Sequence, residues 1–184
     1  MTRLGPLPRE EMTEEQRDLV DAILSGPRGS LAGPFEPWLR SPELGNRAQA
    51  LGEFCRFHTS LEPRLAELAI ILTGAHWRSQ FEFWFHANKA REYGMPESVI
   101  EAIRTHQAPV LADRAERALY AVVSEYLATT RVSDATYREA VETLGERGVV
   151  DAVGIVGYYG LVSMTLNVFQ VGLPDGAEPP FPEP

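Results

Sequence analysis

The sequence predicts an all-α, single-domain protein of about six to eight helices, and three observations carry that prediction. Apolar residues recur at helical spacing in segment after segment, as in Leu19, Val20, Ile23 and Leu24 or Leu119, Val122, Val123, Tyr126 and Leu127. Those segments open on helix-start signals and close on glycines. No stretch alternates apolar and polar residues beside a hairpin turn, so no sheet is expected.

The elements follow in order. Residues 1–12 are a polar lead-in containing proline, and Thr13-Glu-Glu-Gln16 is a capping box that opens the first helix, which stops at Gly26-Pro27. From Pro27 to Pro42 the chain is too rich in Gly and Pro for regular structure; Leu31, Phe35, Trp38 and Leu39 should pin it as an ordered loop able to wall a pocket. A Ser41 cap with Pro42 in the first turn starts a helix ending near His58, with Cys55 as a small buried residue. Thr59 to Pro63 is a break. The central segment, Arg64 to Ala90, is helix-patterned and ends at Gly94. Pro96-Glu97 begins a helix with Val99, Ile100 and Ile103 inward, Asp113 caps one running through Leu127, and Ser133-Asp134 caps one that closes at Gly148.

The stretch Val149 to Phe169 is long and apolar enough to raise a transmembrane reading. Asp151 and Asn167 within it, and the lack of flanking cationic anchors, favour a buried core helix instead. Gly154, Gly157 and Gly160 would let a neighbouring helix come close, inside the subunit or between subunits. The domain is therefore read as 13–171, and 172–184 as a Pro-rich tail, disordered or draped over a neighbour.

Composition narrows the function classes. With 184 residues, 44% hydrophobic and 23% charged, the chain can bury a core without staples. The single Cys55 excludes an intrachain disulfide and any Cys-x-x-Cys site. A net charge of −9 argues against nucleic acid, while an anionic small substrate stays possible where a few arginines gather. The first residues lack the apolar run of a signal peptide, so the expected location is the cytoplasm, with no membrane partner.

Chemistry concentrates in RLAELAIILTGAHWRSQFEFWFHANKA, where Glu67, His76, Ser79, Glu82 and His86 interrupt apolar surroundings. Ser79, Glu82 and His86 fall at i, i+3 and i+7 and share one helix face. Two structural readings compete: Ser79-x-x-Glu82 is also a capping box, and Glu82 with His86 an ordinary i, i+4 pair. His58 in a last helical turn serves equally as a dipole partner or a pocket residue. A metal site using His76, Glu82 and His86 has suitable residue types but no apparent fourth ligand, so no metal is expected.

These residues resemble the carboxymuconolactone decarboxylase family, the all-helical group that includes the alkylhydroperoxidase D proteins. The likeness runs through TEEQ, the GPRGSLAGPF loop, SPEL, TSLEPRLAELAI, HW-x4-E-F-x2-H, AREYGMPESVIEAI and the Gly/Tyr-rich last helix. In the peroxidase branch a Glu is followed at +12 and +15 by two Cys and at +19 by a His. From Glu67 those positions hold Ser79, Glu82 and His86, so the resemblance implies an AhpD-like bundle without the thiol pair, hence without that peroxidase mechanism.

The core is similar instead to the decarboxylase branch, HW-x4-E-W-x2-H, departing from it at Phe83. That branch converts 4-carboxymuconolactone to an enol-lactone with neither metal nor organic cofactor. The resemblance thus implies a cofactor-free lyase or isomerase of aromatic-compound catabolism, acting on a small lactone or enolisable acid and assembled as a trimer or hexamer. Such chemistry needs a proton donor, a donor for the developing oxyanion and a cationic anchor. His86 suits the first because its ordinary pKa lies near neutrality, with Glu82 and Glu67 orienting it or holding a proton. Ser79, His76 and His58 are candidate substrate contacts, and Arg78 and Arg64, then Arg40 and Arg56, candidate anchors. The alternative is a non-catalytic oligomeric scaffold binding a small molecule; an open pocket holding Glu82 and His86 would favour the enzyme, and one filled by Trp77 and Trp84 the scaffold.

Overall fold

The computed structural model describes residues 2–182. A 3-10 turn at Arg9–Glu11 precedes eight helices: α1 (Glu14–Ser25), α2 (Phe35–Trp38), α3 (Pro42–Phe57), α4 (Pro63–His76), α5 (Gln80–Glu92), α6 (Glu97–Arg104), α7 (Arg114–Thr129) and α8 (Asp134–Phe169). Among the described residues there is no strand.

The middle of the bundle is α4. Every residue from Ala66 to Ala75 is buried, including Glu67 and Thr73, and α3, α5, α6, α7 and α8 all pack on it. A helix apolar all round needs neighbours on every side, and the bundle supplies them. The second long contact runs between α7 and α8. Although α8 is long and apolar enough to span a bilayer, 67% of its most apolar window is buried within the fold, as a core helix requires.

Start signals hold in several places. Thr13 and Gln16 make the reciprocal capping box, Asp113 accepts from the Glu116 amide, and Ser133 accepts from that of Thr136. Ser41 occupies the N-cap position of α3 with Pro42 behind it, but its hydroxyl makes no cap.

Four expectations are corrected. The Gly/Pro-rich run is not wholly irregular: Phe35–Trp38 forms a short helix whose Phe35, Pro37 and Trp38 are buried. The central segment is two helices, since α4 ends at His76 and Arg78 takes a left-handed φ of 48° before α5. The last two predicted helices are present within α8, but the non-helical residue that separates them is Gly145 (φ 73°) and not Gly148. Gly148 is buried in the helix, where a Cβ would lie 2.9 Å from the Leu144 side chain.

The tail is the fourth. It folds back on its own chain, with Phe181 buried edge-on to Phe83 at 5.1 Å between ring centroids. Gln80 both donates to the Phe181 carbonyl (2.8 Å) and accepts from its amide (3.0 Å). The apolar ring and this paired side chain outweigh the conformational freedom of a proline-rich segment. Glu183 and Pro184 of the predicted tail, and Met1 of the lead-in, lie outside the described residues.

Candidate active site

Helices α4 and α5 form an antiparallel hairpin turning at Trp77 to Ser79. Because the turn lies midway between them, Glu67 on α4 and His86 on α5 arrive opposite each other. The two helices pack closely at Gly74, where a Cβ would stand in van der Waals contact, 3.4 Å from the backbone nitrogen of Phe83.

His86 is gripped from both sides. Its Nδ1 donates to Glu67 Oε2 at 2.7 Å, and its Nε2 lies 3.0 Å from Glu82 Oε1. The second contact is close but out of line for a hydrogen bond, which leaves Glu82 Oε1 buried without a partner. The three side chains are only 4–6% exposed. The imidazole also meets the Tyr159 ring edge-to-face at 4.9 Å and Phe85 at 5.1 Å.

Burial works to lower the pKa of the ring, but the charges of Glu67 and Glu82, with the hydrogen bond that Glu67 accepts, override it and raise His86 from 6.5 to about 9. At neutral pH the group is an imidazolium between two carboxylates, a proton donor that needs no further activation. This sharpens the sequence reading, which took the ordinary value near 6.5 as sufficient.

Beside this cluster opens a cavity of about 360 Å³, in whose wall His86 and Glu82 both stand. Two sides come from the α1–α2 loop and the start of α2, through Arg28 and Phe35, and from α8, through Tyr158 and Tyr159; Arg56 of α3 and Lys89 of α5 add further cations. The Tyr159 hydroxyl is buried with no hydrogen-bond partner. Burial, then the charges of Glu82 and Glu67, pushes its pKa well above 10, so it keeps its proton.

Residues 42–125 match the sequence model of the carboxymuconolactone decarboxylase family. The chain is similar to this family over that stretch, a little under half of its length. The match includes Glu67, Glu82, His86 and Arg56, while Arg28, Tyr158 and Tyr159 lie outside it. No curated protein sequence matches the chain.

Solved structures with the alkylhydroperoxidase AhpD core share the fold of this chain. An uncharacterised peroxidase-related protein from Ralstonia eutropha superposes with a TM-score of 0.76 at 14% identity, over 95% of this chain and 93% of the other. A protein of unknown function from Agrobacterium tumefaciens, described as a candidate AhpD antioxidant defence protein, gives 0.67 at 20% identity over 77% and 98%. A Cys-to-Ala variant of the debrominase Bmp8, in complex with 2,3,4-tribromopyrrole, gives 0.71 at 13% identity over 95% and 93%.

Of the residues singled out in the sequence, the fold brings Glu67, Glu82, His86 and Arg56 together. Ser79 is fully buried at the N-cap of α5, but its hydroxyl neither caps the helix nor finds any partner, and it is absent from the cavity wall. The capping-box alternative for Ser79 and Glu82 is therefore excluded: the Glu82 carboxylate turns to His86. His76 is exposed at the end of α4, edge-on to Trp77, so the expected substrate contact and the metal grouping with Glu82 and His86 both fail. His58 is an exposed helix end paired with Glu53 at 3.6 Å.

The expected anchors fare similarly. Arg64 is committed to Glu116 at 2.7 Å, Arg78 to the carbonyl of Pro182, and Arg40 to Glu36 and the carbonyl of Gly5. Sequence reasoning missed Arg28, Lys89, Tyr158 and Tyr159. The two tyrosines were hidden in an apolar helix; a hydroxyl pair in a stretch otherwise buried was the available signal. Cys55 is wholly buried, and desolvation, then the charge of Asp151, pushes its thiol up to about 11, so it is no ready thiolate.

Proposed function

We propose that the protein is a cofactor-free lyase or isomerase acting on a small lactone or enolisable carboxylic acid, with His86 as the proton donor. The observation that carries this reading is an imidazolium locked between Glu67 and Glu82 in the wall of a cavity large enough for a small cyclic acid. Neither Trp77 nor Trp84 lines that cavity, which supports turnover over the scaffold alternative.

In the decarboxylating form of the reaction, the bond from the substrate carbon to its departing carboxylate breaks and CO2 leaves. The electron pair passes into the conjugated carbonyl, where the Tyr159 hydroxyl is available to donate to the developing oxyanion. Collapse of that enolate takes the proton from His86 to carbon. The imidazole is then neutral between two carboxylates, and their field favours its recharging from solvent. In the isomerising form Glu82 removes a proton next to the carbonyl and His86 returns one elsewhere. The apolar flank of Phe81 and Phe85 lowers the local dielectric and strengthens each of these interactions. The test is turnover of a confirmed substrate by His86→Gln: loss of activity in a folded variant supports the assignment, and unchanged turnover removes it.

A homo-oligomer, trimer or hexamer, is part of the same proposal. Its support is an exposed apolar stripe on α8 and nearby, comprising Val150, Val153, Met164, Val168, Trp77 and Tyr126. Light scattering on the purified chain decides it.

A further inference from the structure

Among the described residues, the cavity holds two guanidinium groups that no carboxylate engages. Arg28 lies over Phe35, 5.3 Å from the ring centroid, and its Nε and Nη2 are sealed from solvent with only the neutral Tyr158 hydroxyl beside them and no well-aligned hydrogen bond among the described residues. Arg56 lies over Phe57 at 5.1 Å and Phe85 at 5.0 Å. Among the described residues neither makes an ion pair, whereas the third cation of the wall, Lys89, is paired with Glu92 at 2.8 Å. A buried donor left unmade is costly, and more so on a charged group. Aromatic stacking holds each guanidinium in place without consuming its N–H edge, the edge that matches a carboxylate in a two-bond fork.

The position of Arg28 is built, not accidental. A Cβ on Gly52 would fall 2.0 Å from the Tyr158 hydroxyl and 2.4 Å from Arg28 Nη2. The missing side chain of Gly52 thus makes the space in which the guanidinium and the phenol sit side by side. Three phenyl rings, those of Phe35, Phe81 and Phe85, and Val162 line the same space, apolar surface against which a planar ring can stack.

We propose that Arg28 and Arg56 form a carboxylate subsite in this cavity, and that the ligand is a planar, unsaturated ring bearing a carboxylate that is held there and not consumed. The two charges fix which end of the ring faces the arginines, and so which end faces His86 and Glu82. This deepens the acid–base reading by naming the substrate class, and rests on that reading only for which end of the molecule reacts.

The test is calorimetric titration of the full chain at low ionic strength with benzoate and with its neutral isostere benzamide, up to millimolar concentration. Benzoate should bind saturably and benzamide at least about tenfold more weakly, since a charge-assisted hydrogen bond contributes on that scale. Arg28→Gln and Arg56→Gln should each weaken benzoate about tenfold and leave benzamide unchanged, and Arg28→Lys, which keeps charge but loses the fork, should recover only part. No saturable benzoate binding, equal binding of the two probes, or indifference of both glutamine variants would overturn the subsite. Because benzoate does not react, the outcome is separable from the proposed chemistry. A charge preference abolished by Arg28→Gln, alongside unchanged turnover in His86→Gln, would keep the subsite and remove the acid–base role.

Discussion

Two hollows of nearly the same size flank α8, and they differ in everything but volume. One, about 360 Å³, is walled by Arg28, Arg56, Glu82, His86 and Tyr159; the other, about 350 Å³, lies between α7 and α8 and is walled by Val122, Leu127, Val153, Val156 and Met164 together with Trp77. The first leaves buried polar atoms without partners on Arg28, Glu82 and Tyr159. The second has no charged lining residue, and several of its walls are exposed apolar side chains. Volume alone does not mark a site for chemistry. Unmade hydrogen bonds gathered on charged and titratable groups of one wall do, whereas the isolated buried hydroxyls of Ser79, Ser124 and Ser163 mark none.

The comparison breaks most sharply at His86. Replacing it with Gln should reduce turnover about 10²- to 10⁴-fold, the range for a positioned acid. The same change strands Glu67 and Glu82 without their cation, so the melting temperature should fall as well, and circular dichroism must accompany the kinetics. Tyr159→Phe should lower kcat about 10²-fold if the hydroxyl serves the oxyanion, yet leave the melting temperature equal or higher because an unpartnered buried hydroxyl is gone. That split between activity and stability is not what a purely structural tyrosine would show. Glu67→Gln removes one of the two charges that hold the imidazolium, so the alkaline limb of the activity profile should move to lower pH.

The pH dependence follows from the raised value at His86. Folded and unfolded chains both carry the proton below pH 6.5, so the stabilisation from the carboxylates is fully present there. It is lost progressively as pH rises from 6.5 through about 9, where the folded state gives the proton up. Melting temperatures recorded across that window should decline. Val153→Ser in the second hollow should have the smallest effect on chemistry, leaving turnover per subunit unchanged while weakening self-association seen by light scattering.

Much of this was legible in the sequence. The helices at 14–25, 97–104 and 114–129 follow from their caps and apolar spacing, and the grouping of Glu67, Glu82 and His86 follows from density of titratable residues in an apolar run. What was not legible arises from tertiary placement. Gly145 and Gly148 look alike as helix stops, and only packing of Gly148 against Leu61 and Leu144 decides between them. Arg28 sits in a loop whose path no periodicity describes, whereas Arg64 and Arg78, close in sequence to the cluster, are drawn off by Glu116 and by Pro182. Phe181 shows the same lesson at the tail, where one aromatic ring and the reach of Gln80 overrule a composition typical of disorder.

The most direct measurement is the titration of the His86 ring followed by NMR, with the His86→Gln variant identifying the resonance. An imidazolium held between two carboxylates should keep its proton to about pH 9. A midpoint at the ordinary value near 6.5 would mean that the ring carries no standing charge at neutral pH, and would contradict its role as the proton donor.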